Sequence, residues 1–266
     1  MKIIFTDQMK RQVAVQHPPK RIISLVPSQS ELLVDLGLEE ELVGITKFCI
    51  HPEGIAQTRT RIGGTKLLKM ERIEELQPDL IIGNKEENEQ GQIEELAERY
   101  PVWMSDILTL EDSLEMVGTV GRLVDREAQA TTLVKELRDS FAGLERWERP
   151  LRAAYFIWQK PYMVAAGGTF INEMMVYAGL ENVFGHRQRY PVIALEELAA
   201  VQPEVILLSS EPYPFKEKHW PAFQEICPKV VIKLVDGELF SWYGSRLKHT
   251  VQYFLKLREE LSSNLL

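Results

Sequence analysis

The sequence predicts an α/β protein made of two βα lobes, each with a parallel sheet, joined by one long bridging α-helix. Three observations predict this fold class. Strand-like and helix-like segments alternate in both halves, one helix–turn–strand phrase occurs twice, and about 35 residues between the halves have helical periodicity alone. The predicted bounds are 1–108 for the N-terminal lobe, 109–147 for the bridging helix and 148–266 for the C-terminal lobe.

The N-terminal lobe alternates short apolar runs, typical of buried parallel strands, with segments whose apolar residues recur at helical spacing. Its predicted helices are "SELLVDLGL", a helix that begins near Met70 and ends before Pro78, and "QIEELAERY". The predicted strands are "RIISLV", "LVGIT", "DLIIG" and "PVWMSD".

The bridging segment keeps a helical apolar period from Leu110 to Leu144 with no strand inside it. A mostly continuous helix of that length would span on the order of 50 Å. Gly118, Gly121 and Asp125 allow a bend or break midway. The segment is therefore predicted to be a strut, not a flexible linker.

The C-terminal lobe restarts the pattern with the strand "LRAAYFIW" and the helix "GGTFINEMMVYAGL", followed by the repeated phrase. "MERIEELQPDLII" (70–82) returns as "LEELAAVQPEVIL" (195–207) at a constant offset of 125 residues, so that Glu71 matches Glu196. The duplication predicts that both glutamates occupy equivalent places in two related lobes.

Composition excludes several classes of function. A net charge of −8 argues against a nucleic-acid-binding surface. Cys49 and Cys227 match no metal-binding or redox spacing, the histidines are scattered, and no phosphate-loop, nucleophile-elbow or zinc-protease motif occurs. No apolar run approaches the roughly 18 residues that a membrane span needs. Nothing nominates a catalytic residue or a metal ligand.

The segments "RIISLVPSQSELLVDLG", "MERIEELQPDLII", the central helical segment, "GGTFINEMMVYAGLENVF" and "LEELAAVQPEVIL" follow one another in this order over almost the whole chain. Together they resemble the substrate-binding proteins of the cobalamin and ferric-siderophore ABC transporters. The resemblance implies that a metal chelate is held in a cleft between the lobes and delivered to a membrane permease. It also implies a bound ligand, not a resident cofactor. Nothing in the sequence indicates an oligomer, so a monomer is expected.

The resemblance gives the paired glutamates a role, because in that family the glutamate at this position of each lobe docks into arginine pockets on the permease. Glu71 and Glu196 are therefore predicted to dock. The alternative is that each merely favours the dipole at the start of its helix.

The family lines its cleft with aromatic side chains from loops that follow strands, because such rings stack on wide chelates. In this sequence the corresponding candidates are Phe48, His51, Trp158, Tyr162, Trp242 and Tyr243. Arg246 resembles the polar end of the same late loop in cobalamin-binding relatives. The chain departs from cobalamin-binding relatives at "NKEEN", where Lys85 and Glu86 would favour a ligand with polar or cationic edges if they face it. The alternative is a solvated surface loop.

The beginning of the sequence carries too short an apolar run, Ile3 to Phe5, for a signal-peptide core. Relatives work in the periplasm or tethered outside the membrane. The expectation is therefore an extracytoplasmic protein, with a cytoplasmic location as the alternative. The competing function is a cytoplasmic metal-handling protein or chelatase-like enzyme on the same fold.

Overall fold

A computed structural model describes residues 1–145 and 147–265. Arg146 and Leu266, which fall inside the predicted bounds 109–147 and 148–266, lie outside the described residues. The chain divides into two compact units. Unit 1 comprises Met1–Ile107, Glu111–Arg138 and Tyr243–Arg246; unit 2 comprises Leu108–Leu110, Asp139–Trp242 and the chain from Leu247 onward. None of the described helices is long and apolar enough to cross a lipid bilayer.

Unit 1 begins with an antiparallel hairpin that the sequence analysis did not predict. Strands β1 (Lys2–Thr6) and β2 (Gln12–Gln16) form it. In β2 every second side chain is buried, namely Val13 and Val15. This alternation is typical of a half-buried strand. The backbone N–H of Gln8, in the turn, donates to the carbonyl of Met104 at 3.1 Å and fixes the hairpin to the unit.

The main sheet of unit 1 is parallel and has five strands, in the order β5-β4-β3-β6-β7. The four strands predicted from apolar runs are all present, and β6 is buried along its whole length. The strands are β3 (Ile22–Ser24), β4 (Leu42–Ile45), β5 (Thr60–Arg61), β6 (Leu80–Asn84) and β7 (Val102–Ser105). The helices are α1 (Pro27–Asp35), α2 (Ile55–Thr58), α3 (Met70–Leu76) and α4 (Gln90–Ala97).

The central segment consists of two helices, α5 (Leu110–Leu123) and α6 (Glu127–Ala142), not one mostly continuous helix. The break falls at Asp125, whose φ of +59° stops the helical backbone. Gly121 permits the two helices to approach closely, since a Cβ at this position would lie 2.2 Å from the Cβ of Ala130. The boundary between the units falls inside α6, after Arg138.

Unit 2 repeats the parallel α/β arrangement with a sheet in the order β10-β8-β11-β12, to which β9 adds antiparallel to β8. The strands are β8 (Leu151–Trp158), β9 (Met163–Val164), β10 (Leu180–Asn182), β11 (Val205–Ser209) and β12 (Val231–Val235). The helices are α7 (Phe170–Tyr177), α8 (Leu195–Val201), α9 (Trp220–Ile226), α10 (Glu238–Ser241) and α11 (Leu247–Leu265), with a short 3₁₀ helix at Glu217–His219.

The duplicated phrase folds in the same way in both units. Helices α3 and α8 have seven residues each, and both end at a glutamine in the left-handed region, with φ of +44° at Gln77 and +45° at Gln202. An arginine guanidinium then closes each helix by donating to its last carbonyl, Arg21 to Leu76 and Arg152 to Val201. The equivalence predicted from the offset of 125 residues is therefore present in backbone detail.

Candidate ligand-binding and docking sites

Polar side chains gather where the strands of unit 1 end, which is the edge at which parallel α/β sheets bind ligands. The Gln29 amide at the start of α1 donates to Ser105 Oγ at 2.7 Å, and the Asn84 amide donates to the same oxygen at 3.0 Å. All three side chains are buried. This network fixes the ends of β6 and β7 relative to α1.

Two asparagines hold the loop that follows β6. Asn84 Oδ1 accepts hydrogen bonds from the backbone N–H groups of Glu86 and Glu87, and Asn88 Oδ1 accepts one from the N–H of Asn84. Asn88 also donates to the carbonyl of Thr65 at 3.0 Å. The two asparagines therefore supply hydrogen bonds that shape the backbone of the loop.

The charged residues of this loop differ in environment. Lys85 is exposed and pairs with Asp106 at 2.6 Å, whereas Glu86 and Glu87 are half-buried. Both glutamates lie close enough to the Tyr243 phenol to raise its pKa, although burial is the larger cause of that rise. The structure thus places Glu86 and Tyr243, two candidates that are far apart in sequence, in the same unit.

Residues 243–246 pack in unit 1 although their sequence neighbours belong to unit 2. The Arg246 guanidinium makes two hydrogen bonds to the Glu31 carboxylate of α1, at 2.9 and 2.6 Å. The side chains are only 13% and 12% exposed. Arg246, predicted to contact ligand, therefore has two of its donors engaged by an ion pair within the unit.

Phe48 and His51 follow β4 in the same unit. The Phe48 ring is half-exposed, and the Lys47 ammonium lies 4.9 Å from its centroid, within the range of a cation–π contact. His51 is half-buried. Phe48 consequently offers an accessible aromatic face at the end of β4.

In unit 2 the predicted aromatic residues separate into exposed and core positions. Trp158, at the end of β8, is exposed and meets the Tyr213 ring edge-on, with centroids 5.7 Å apart. Tyr162 instead packs against Phe156 and Phe223 of the hydrophobic core. Trp158 is the accessible aromatic of this pair, and Tyr162 mainly closes the core.

Trp242 is buried and donates a hydrogen bond to Glu211, an acidic residue that the sequence analysis did not identify. Its indole N–H donates to Glu211 Oε1 at 2.8 Å, and the Ser241 hydroxyl donates to the same oxygen at 3.0 Å. Desolvation raises the pKa of the Glu211 carboxyl, and the nearby Glu238 raises it further. The sequence does place Glu211 at the end of a strand, two residues after the buried strand β11, which is where ligand-site residues of parallel sheets lie.

Replacing Glu211 by glutamine is expected to make unit 2 more stable at neutral pH. The pKa of Glu211 is higher in the folded than in the unfolded protein. The wild-type carboxyl therefore stabilises the fold most at a pH below the unfolded-state pKa. This stabilisation is lost as the pH rises through the folded-state pKa. Glutamine keeps an acceptor for Trp242 without a buried charge. Urea unfolding between about pH 4 and pH 8 should show a gain that grows with pH. A gain independent of pH would contradict this account.

The two matched glutamates are exposed in the first turns of α3 and α8. Neither Glu71 nor Glu196 makes a side-chain hydrogen bond or ion pair to any described residue. The neighbouring Glu197 differs, because its carboxylate accepts from the N–H of Ala194 and pairs with Arg187, and these contacts lower its pKa. The structure therefore distinguishes an available glutamate from an adjacent structural one.

The family model of periplasmic binding proteins matches residues 22–224. The chain belongs to the periplasmic binding protein family. A vitamin B12-binding protein of Vibrio parahaemolyticus is 27% identical over 197 residues, which cover 72% of this chain and 71% of the relative.

Within residues 1–145 and 147–265, no group of three or more His, Cys, Asp or Glu side chains is placed to hold a metal ion.

Solved structures of periplasmic binding proteins share the fold. The vitamin B12-binding protein BtuF of Vibrio cholerae has a TM-score of 0.77 and 22% identity, covering 92% of this chain and 98% of that one. The heme-binding protein RhuT of Roseiflexus sp. RS-1 in its apo form has a TM-score of 0.77 and 19% identity, covering 93% and 99%. These structures confirm the predicted fold class, and the family model confirms the predicted family.

Each unit of this periplasmic binding protein collects its own set of the predicted ligand contacts. Candidates from three loops belong to unit 1, whereas unit 2 holds the remaining aromatics. Unit 1 contains Phe48, His51, Lys85, Glu86, Tyr243 and Arg246; unit 2 contains Trp158, Tyr162 and Trp242. That these side chains contact a ligand stays a prediction.

Proposed function

We propose that this protein is the substrate-binding component of an ABC importer, which captures a metal chelate of the cobalamin, siderophore or haem type and delivers it to a permease. Membership of the periplasmic binding protein family carries the proposal. The relatives are named as binding proteins, which favours this function over a chelatase-like enzyme. We place the protein outside the cytoplasmic membrane, where its relatives act, and expect it to be a monomer.

Accessible aromatic rings at strand ends support a wide, flat ligand. Phe48 follows β4 in unit 1 and Trp158 ends β8 in unit 2, and both rings are exposed. A corrin, a porphyrin or an aromatic siderophore can stack on such faces, since stacking needs only an accessible π surface. The half-buried Glu86, in the same unit as Tyr243, adds an acidic edge to unit 1, which favours a ligand that carries amide or cationic groups.

Ligand binding is expected to quench tryptophan fluorescence through Trp158. The purified protein would be titrated with cyanocobalamin, with hemin and with a ferric hydroxamate siderophore, and free tryptophan amide would correct for absorption by the ligand. Saturable quenching by one of the three is expected. Trp158→Phe should reduce the quenching, whereas Trp220→Phe, at a partly buried position packed against the core of unit 2, should retain it. Unsaturable curves for all three ligands would contradict the proposal.

Permease docking is assigned to Glu71 and Glu196. Both carboxylates are exposed at equivalent positions of equivalent helices, and neither is engaged by another described residue. A free carboxylate on a rigid support suits a desolvated pair with an arginine of a partner. The helix-dipole explanation accounts for one acidic residue in a first turn, but Glu197 already serves that purpose in α8.

A further inference from the structure

The duplication extends to two exposed apolar side chains just before the docking helices. Leu67 is 76% exposed and Val192 is 55% exposed, and they are separated by the same 125 residues as Glu71 and Glu196. Among the exposed large apolar residues of the described chain, no other two are related by this offset. A single exposed leucine or valine needs no explanation, but a matched pair does.

In unit 1 the backbone around Leu67 is held on both sides. The N–H of Gly64 donates to the carbonyl of Leu67 at 2.8 Å, and the N–H of Lys69 donates to the carbonyl of Ile62 at 2.8 Å. The next side chain, Leu68, is buried in the core. Leu67 therefore points outward from a short, fixed antiparallel ladder.

Unit 2 builds the same support from different residues. The N–H of Val164 donates to the carbonyl of Pro191 at 3.2 Å, and the N–H of Ile193 donates to the carbonyl of Tyr162 at 3.0 Å. Ile193 is buried in the core, as Leu68 is in unit 1. Because alternate residues of an extended segment face opposite ways, the burial of Ile193 turns Val192 to solvent.

Packing does not account for the type of the outward residue. The buried position of each ladder must be apolar because it contributes to the core, whereas a polar residue would serve at the outward position. Each apolar side chain precedes its glutamate by four residues, so the two Cα atoms lie at most about 14 Å apart. Each unit thus presents a fixed apolar side chain near a free carboxylate.

We propose that Leu67 and Val192 are the apolar contacts of the permease-docking surface, one beside each docking glutamate; this inference rests on the proposed function. The partner is a membrane permease whose two basic pockets are each bordered by a shallow apolar depression. The carboxylates steer and orient the complex, and burial of the leucine and the valine contributes affinity that does not depend on charge. A contact surface of this composition, apolar with a polar or charged neighbour, is usual for protein interfaces.

The test compares paired variants of the full chain for binding to its permease–ATPase complex in lipid nanodiscs. Leu67→Ser/Val192→Ser should weaken binding about tenfold, since each replacement removes the transfer free energy of an apolar side chain. The loss should be equal at about 50 mM and about 500 mM salt, because only charge pairs are screened. Glu71→Ala/Glu196→Ala should instead reduce the dependence of affinity on salt.

Ile4→Ser/Val176→Ser serves as the matched control, since it removes one exposed apolar side chain from β1 of unit 1 and one from α7 of unit 2. It should bind like the wild type, and all variants should keep the wild-type melting temperature. Wild-type affinity of Leu67→Ser/Val192→Ser, with a loss in the glutamate variant, would overturn this inference alone. A wild-type protein that does not bind the complex would overturn both the inference and the proposed function.

Discussion

Replacing Glu71 and Glu196 together by alanine is expected to weaken binding to the permease complex at least about 100-fold, since losing one member of a buried charge pair costs about 2–5 kcal/mol. Both carboxylates are exposed and unengaged by described residues, so their removal breaks no hydrogen bond or ion pair with those residues. Each single variant should lose part of the affinity. Stimulation of the ATPase by the binding protein is a second measure of the same contact.

Glu75→Ala/Glu225→Ala provides the control for this experiment. It removes the same total charge from exposed positions of α3 and α9. If the control loses as much affinity as Glu71→Ala/Glu196→Ala, then overall charge and not local docking governs the association. Full retention of affinity by Glu71→Ala/Glu196→Ala would show that these positions do not dock.

Replacing Arg246 by alanine is expected to lower the free energy of unfolding by about 3 kcal/mol, because Glu31 would keep a largely buried carboxylate without its cation. Both side chains are almost enclosed, and the pair makes two hydrogen bonds. Urea unfolding followed by fluorescence would measure the loss. Arg246→Ala/Glu31→Leu should recover part of it, since the unpaired charge is then removed as well.

Arg138→Ala is the matched control for this effect. Arg138 pairs with Glu111 at 2.7 Å in the same unit, but both side chains are exposed. Its replacement should change the free energy of unfolding by less than about 1 kcal/mol. Equal losses of unfolding free energy for Arg138→Ala and Arg246→Ala would contradict the role assigned to burial. If Arg246→Ala leaves the free energy of unfolding unchanged, ligand contact is the one remaining role proposed for Arg246.

The sequence predicted the features that depend on local apolar pattern. Buried parallel strands are continuous apolar runs, and for that reason β6 and β11 were found with their neighbours. The two copies of the repeated phrase folded alike, because apolar spacing, the glutamine at the helix end and the following proline act locally. The break at Asp125 falls at one of the residues that allowed it.

The rest depended on contacts between distant parts of the chain. Glu31 and Arg246 are 215 residues apart, and no local signal indicates that residues 243–246 pack in unit 1. The burial of Glu211 follows from Trp242 folding over it, which a strand-end acidic residue does not by itself predict. Trp158 and Tyr162 lie only four residues apart, and the packing of Tyr162 against Phe156 and Phe223 distinguishes the two.

The two asparagines of the loop after β6 have a consequence for how the sequence of this loop can vary. Asn84 and Asn88 supply the hydrogen bonds that shape the loop, and residues 85–87 contribute backbone N–H groups that every residue except proline possesses. Substitution at those three positions by any residue except proline keeps these backbone donors while it alters charge and size at the edge of the sheet. Under the proposed function, such substitutions would change the charge offered to the ligand without removing the two asparagines that support the loop.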